Sequence, residues 1–320
     1  MSQDILLAIV LPLAFLGLVF LFFFFWFFLL GYYYYRFALK RQKSKSSEVI
    51  IENMPDLYSV YRYEKEWFEN LKLEDVYITS SDNLKLHGYL NRQDSHTYII
   101  FSHGYRGTYK EATAQLKQMQ KIFAPINILM IDQRAHNLSE GKHLTMGYKE
   151  GEDLSRWIDF IVSRDKEAKI ILYGQSMGAA TIFFSEGLNL AKNVKCAICD
   201  SGYTTIHDEF RFICHLISKT LNPNFLLKPA GWFIKKIVKM DINMDEPRVS
   251  LSKSKIPTLF IHGMNDTVVS YFFQEQNIKA FNPNTPYEKM DIPNAGHCLG
   301  FYQDEQKYMD KVEKFVRKYL

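Results

Sequence analysis

From residue 97 onward the chain alternates short apolar runs with longer stretches of helical spacing. The runs are TYIIFSHG, INILMIDQ, KIILYGQ, VKCAICD, TLFIHG and YEKMDIP, and the helical stretches fall near 109 to 123, 147 to 164, 177 to 190, 270 to 281 and 304 to 320. Such alternation predicts a mainly parallel sheet with crossover helices. Ahead of it, LEDVYITSSDNLKLHGYL alternates apolar and polar positions on both sides of Ser81-Asp82-Asn83, which predicts an antiparallel hairpin. One interval breaks the pattern: about fifty residues separate CAICDSGY from TLFIHG, too many for an ordinary connection and too apolar for a disordered one. This interval, about 204 to 250, predicts a helical insertion in which Trp232, Phe233, Ile234, Ile237 and Val238 cover a surface while Lys235, Lys236 and Lys239 stay solvated.

The N-terminus follows neither pattern. Ile5 to Tyr35 contains no charge and is long enough to span a bilayer as a helix. It lacks the basic start, short apolar centre and small-residue cleavage site of a secretory signal. Trp26 and Tyr32 to Tyr35 suit an interfacial aromatic belt. Arg36, Lys40, Arg41, Lys43 and Lys45 follow the run, whereas only Asp4 and the terminal amine precede it, so the positive-inside rule predicts a cytoplasmic C-terminal part. The expected organisation is an anchor over 1–35, a basic flank and linker with a packing helix in YRYEKEWFENL over 36–70, and a single large domain over 71–320.

Charge and cysteine usage narrow the classes further. The 320 residues carry 39 Lys+Arg and 35 Asp+Glu, and the excess is the flank of the span, which leaves no nucleic-acid footprint. Cys196, Cys199, Cys214 and Cys298 are too sparse for a disulfide framework. Cys196-Ala-Ile-Cys199 has the spacing of half a zinc or redox motif, but it lies in a strand-like run with no second pair, which favours a structural reading.

The candidate chemistry centres on Gly174-Gln175-Ser176-Met177-Gly178. A serine on a sharp strand-to-helix turn needs small neighbours, and here KIILY precedes it and AATIFFSEG follows. Without partners Ser176 is only a small residue at a tight turn; as a nucleophile it needs a base and an orienting acid. His297, in the Gly-containing loop after the last strand, is the candidate base, whereas His103 and His262 end strands and bracket turns. Asp266, just past the penultimate strand, is the favoured acid, with Asp200 at the end of VKCAICD as its rival. The negative charge developing on a substrate oxygen needs two donors. The candidates are the backbone N–H of Met177 and that of Tyr105, whose loop Gly104 lets approach closely.

These four motifs, SHGYRG, YGQSMGAA, HGMNDTVV and NAGH, in that order, resemble the oxyanion turn, nucleophile elbow, acid loop and histidine loop of the α/β-hydrolase superfamily, over about Leu73 to Leu320. More narrowly, the chain resembles bacterial hydrolases with a single N-terminal anchor, related to the serine aminopeptidase-like and cinnamoyl esterase-like groups. The stretches IDQRAHNLSEGKHLTMGYKEGEDLSRWIDFI and CDSGYTTIHDEF resemble their loop-helix unit and lid entry. Asn137 stands where the family form has glycine, and asparagine tolerates left-handed backbone. Asp132 and Arg134 then read as organisers of the loop.

The resemblance implies an α/β-hydrolase fold with an eight-stranded, mostly parallel sheet and a helical lid, preceded by one transmembrane helix. It implies a membrane-anchored serine hydrolase of esters, thioesters or small amides, with no metal or organic cofactor; its partners are a small-molecule acyl substrate and the membrane. A serine peptidase of aminopeptidase type and a non-catalytic binding protein on the same fold are the alternatives.

Overall fold

The computed structural model describes residues 3–41, 63–217, 220, 222–244 and 246–320. Its strands are β1 (Leu73–Thr79), β2 (Lys85–Asn91), β3 (Thr97–Ser102), β4 (Asn127–Ile131), β5 (Lys169–Gln175), β6 (Val194–Asp200), β7 (Thr258–Gly263) and β8 (Tyr287–Ile292). They form one sheet in the order β1-β2-β4-β3-β5-β6-β7-β8. The hairpin pairs Leu73 with Asn91 and Thr79 with Lys85. Its turn places Asn83 at φ 65°, which asparagine tolerates. β2 also runs antiparallel to β4, and every pair from β4 to β8 is parallel.

The helices are α1 (Gln3–Leu39), α2 (Lys65–Glu69), α3 (Thr113–Phe123), α4 (Tyr148–Arg164), α5 (Met177–Glu186), α6 (Ile206–Ile217), α7 (Pro223–Phe233), α8 (Glu246–Ser252), α9 (Phe272–Ala280), α10 (Gly300–Gln303) and α11 (Glu305–Val316). A one-turn 3-10 segment (Tyr109–Ala112) leads into α3, and a π-helical turn (Ile234–Val238) follows α7. The central strands are buried on both faces, because alternate side chains feed two cores. Ile100, Ile170 and Leu172 meet Trp157 and Ile161 of α4 and Ile182 and Phe183 of α5. Phe101, Ile171 and Tyr173 meet Leu116 and Met119 of α3 and Tyr308, Val312 and Phe315 of α11. That is why these runs read as continuous apolar blocks rather than alternating ones.

A third core lies above the C-terminal ends of the strands. It joins Tyr34, Tyr35, Ala38 and Leu39 of α1 to Met177 and Ala180 of α5, Phe210 of α6, Leu227 and Ala230 of α7, and Phe273 of α9. The insertion is therefore helical, but its last helix returns to the body: Leu251 of α8 is part of the first core. Helix α1 is long and apolar enough over Leu7–Leu39 to cross a membrane. It continues past Tyr35 to Leu39, and its end is fastened by backbone bonds from Leu144 N–H to the Leu39 carbonyl and from Arg41 N–H to the Lys142 carbonyl. Lys43, Lys45 and the start of the expected packing helix lie outside the described residues. The rest of that segment is α2, whose Trp67 and Phe68 pack on the second core; Phe68 stacks on Tyr109 at 4.1 Å.

Candidate active site

The elbow is a consequence of close packing. Ser176 sits between β5 and α5 at φ 53°, ψ −119°, a conformation a non-glycine residue holds only when its surroundings impose it. A Cβ on Gly174 would lie 2.4 Å from the Gly178 carbonyl oxygen, and one on Gly178 would lie 1.9 Å from that of Ser102. Both glycines are thus required by the approach of the start of α5 to β5 and to the end of β3. Ser176 N–H donates to the Asp200 carbonyl at 2.8 Å, tying the turn to β6. Met177 opens α5, so its N–H has no carbonyl one turn earlier to bind.

Asp266 and His297 come together although 31 positions separate them. His297 Nδ1 lies 2.7 Å from Asp266 Oδ2. The other carboxylate oxygen, Oδ1, accepts the Val268 and Val269 amides at 2.8 Å each, and His262 Nε2 lies 3.3 Å from Oδ2 while donating to the Val269 carbonyl. Burial would raise the Asp266 carboxyl, but His297 and His262 outweigh it and hold it below the usual range. Burial likewise opposes protonation of His297, and the Asp266 charge overcomes it and raises the imidazole. The rival acid is engaged elsewhere: Asp200 Oδ2 accepts the Tyr308 hydroxyl and Oδ1 the Ser201 hydroxyl, both at 3.0 Å. Parallel pairing puts the ends of β5, β6, β7 and β8 at one edge of the sheet, so the loops carrying Ser176, Asp266 and His297 share that edge.

The loop after β3 reaches the same place. A Cβ on Gly104 would lie 3.4 Å from the Ser176 Cβ. Two neutral imidazoles hold this loop. His103 Nε2 accepts the Gln133 N–H, so its Nδ1–H donates to the Gly104 carbonyl at 2.8 Å. His136 Nε2 accepts the Arg106 N–H at 3.1 Å, so its Nδ1–H donates to the Arg134 carbonyl. Burial lowers His103 to about 3, assisted by His136, and lowers His136 to about 4. Glu111 completes the support, and nothing in the sequence singled it out beyond its place one turn past SHGYRG. Its carboxylate fills the space a Gly107 side chain would occupy, 2.2 Å from that Cβ position. Burial raises it to about 7, against backbone hydrogen bonds at Thr108 and Gly104 and the charge of His297.

The loop following β4 is structural. Asp132 binds His87 Nδ1 at 2.7 Å and the Asn137 side-chain amide at 2.8 Å, with Asn137 at φ 39°. Arg134 bridges Asp153 and Asp82. The carboxyl of Asp82 falls to about 2 because its bonds to Arg134 and Ser80 outweigh the burial that would raise it. Cys196 and Cys199 point into opposite cores of β6, which separates them as ligands. Among the described residues no group of three His, Cys, Asp or Glu side chains converges as a metal site.

The roof adds two features that sequence spacing could not reveal. Tyr105 donates its hydroxyl to the Ala38 carbonyl at 2.8 Å, joining the loop after β3 to the end of α1. Glu209 of α6 is 3% exposed, interacts electrostatically with His297 and Asp266, and has an Oε2 without a hydrogen-bond partner among the described residues. Burial raises it to about 8 against the pull of His297.

Residues 93–245 match the family model of serine aminopeptidases, family S33. The uncharacterized protein YqkD of Bacillus subtilis is 25% identical over 281 residues, covering 86% of this chain and 88% of its own length. The structure of the Pyrococcus furiosus esterase Pf2001 superposes with a TM-score of 0.64 at 22% identity over 80% of this chain and 96% of that one. Est1E of Butyrivibrio proteoclasticus, solved with ferulic acid bound, gives 0.57 at 18% over 76% and 98%. The chain has the α/β-hydrolase fold, and its similarity to this family model and to these esterases supports a hydrolase.

Proposed function

We propose that the protein is a membrane-anchored serine hydrolase that cleaves a carboxylic ester, a thioester or a small amide through an acyl-enzyme. The observation that carries this reading is the 2.7 Å contact between His297 Nδ1 and Asp266 Oδ2 at the edge where Ser176 occupies its strained elbow. In this mechanism Ser176 Oγ attacks the substrate carbonyl carbon as His297 Nε2 takes its proton. Asp266 accepts the Nδ1–H, fixing the tautomer and stabilising the imidazolium. The Met177 and Tyr105 amides receive the oxyanion. Collapse of the tetrahedral species expels the alcohol, thiol or amine with the proton from His297. Water, deprotonated by the same imidazole, then releases the acid and regenerates Ser176. Helix α1 crosses the bilayer, and the basic residues after it hold the catalytic domain on the cytoplasmic side.

Ser176→Ala is expected to abolish turnover of p-nitrophenyl butyrate and labelling by a fluorophosphonate while leaving the melting temperature within a few degrees. A folded wild type that fails to react with the probe points instead to a binding protein. A peptidase is the second reading, favoured by one observation: the buried Glu209 carboxyl is within electrostatic reach of His297 and Asp266, and its Oε2 has no hydrogen-bond partner among the described residues. A substrate ammonium placed there would ionise Glu209 and pair with it. Turnover of aminoacyl amides faster than of matched simple esters decides for that reading.

A further inference from the structure

The exposure of α1 changes abruptly along its length. Leu7 to Trp26 stand clear of the rest of the protein, with Val19 alone half-buried. From Phe27 to Leu39 the helix packs on the body, reaching full burial at Gly31, Tyr34, Tyr35, Ala38 and Leu39. At 1.5 Å per residue the clear stretch is about 30 Å long, the thickness of a bilayer hydrocarbon core. The remainder is a stalk built into the enzyme, so the membrane boundary falls at Trp26 and Phe27.

Helix α7 lies at that boundary. Phe225, near its start, meets Phe27 at 5.1 Å, and Trp232, near its end, meets Phe28 at 5.7 Å. Both ends of α7 therefore reach the same level of α1, as a helix lying in the plane of the membrane does. Between them α7 presses on the stalk, where a Gly31 Cβ would be 2.5 Å from Pro229 Cβ. Its inward side, Leu227 and Ala230, belongs to the core that contains Met177. Outward, Phe225 is 52% and Trp232 50% exposed, with Ile237 beyond them, while Lys228, Lys235, Lys236 and Lys239 are exposed around this apolar surface. Large apolar side chains on one side with lysines around them are what an interfacial helix presents to anionic lipid.

Building on the reading that α1 spans the membrane, we propose that α7 and the π-helical turn after it lie in the interfacial layer of that same bilayer. Phe225, Trp232 and Ile237 enter the acyl boundary and the lysines bind anionic phospholipid headgroups. The cover of the active site is then in contact with lipid, and its acyl substrates are drawn from molecules dissolved in the membrane.

Spin labels on full-length protein in phosphatidylcholine–phosphatidylglycerol nanodiscs test this. Single labelling sites are introduced by Phe225→Cys and Trp232→Cys, with Phe15→Cys in the clear stretch of α1 and Glu167→Cys ahead of β5 as references; the four native cysteines are buried. The 225 and 232 labels are expected to follow the Phe15 label, relaxed by oxygen and shielded from a water-soluble nickel chelate. If they follow the Glu167 label while the Phe15 label is shielded, the interfacial placement is overturned and the anchor stands. If the Phe15 label itself is open to nickel, the spanning reading falls and the placement with it.

Discussion

The edge of the sheet and the roof above it are built by different means. At the edge, backbone contacts set the geometry: Ser176 is held by its bond to Asp200 and by two glycines that admit no Cβ, and Asp266 by the amides of Val268 and Val269. The roof is held mainly by side-chain packing, with Phe210, Leu227 and Ala230 against Tyr34 and Leu39 of α1. Backbone hydrogen bonds are directional and tolerate little displacement, whereas apolar packing is non-directional and can be rearranged at modest cost. Substitutions at the edge should therefore act on turnover, and those in the roof on stability and on access to the site.

The largest effect is expected for Asp266→Asn, which keeps the shape of the acid and loses its charge. Turnover of p-nitrophenyl butyrate should fall about 10⁴-fold, the order seen when a triad acid is neutralised, with little change in KM. Asp200→Asn should cost far less activity, since its carboxylate binds Tyr308 and Ser201. Kinetics in which the Asp200 variant is the more damaged would reverse the roles given to the two acids.

In the roof, Gly31→Val drives a side chain into Pro229 and Ala230 of α7. Overpacking of this kind costs about 1–3 kcal/mol. Thermal denaturation of the detergent-solubilised protein should show a lower Tm, while hydrolysis of a small soluble ester persists. A complete loss of that activity would mean that the stalk orders the edge as well as the cover.

The smallest effect is a pH dependence from Glu209. Its folded-state pKa, about 8, lies above the ordinary glutamate value of 4.5, so the folded state binds the proton more tightly than the unfolded chain does. The resulting stability is full below about pH 4.5 and is lost as pH rises through 8. Glu209→Gln keeps a neutral side chain throughout and should flatten this decline, raising Tm relative to wild type at pH 8.5 more than at pH 6. Equal shifts at both values would show that Glu209 does not titrate in the site.

The central strands were legible because they are buried along nearly their whole length, and the β1–β2 hairpin because its apolar and polar positions alternate about a turn. The elbow was legible for a related reason: only glycine fits at Gly174 and Gly178, so close packing leaves a visible mark. Choosing Asp266 over Asp200 was harder, since both end strands at the same edge and spacing cannot show which carboxylate turns toward His297. Glu111, on a one-turn 3-10 segment, and Glu209, on amphipathic α6, left no mark at all, being ordinary charged residues until the fold brings both within electrostatic reach of His297. His136 was equally unreadable until its ring was seen to accept the Arg106 amide.

By itself the sequence determined the parallel sheet, the tight strand-to-helix turn at Ser176, the helical insertion and a helix apolar enough for a bilayer, because each is written in local periodicity or in a local need for small residues. Only the tertiary structure decided that the apolar helix ends as part of the roof, that α7 lies across it, and which carboxylates crowd the imidazole. Those relations join residues far apart in the chain, and they depend on which surfaces pack together rather than on any pattern within one segment.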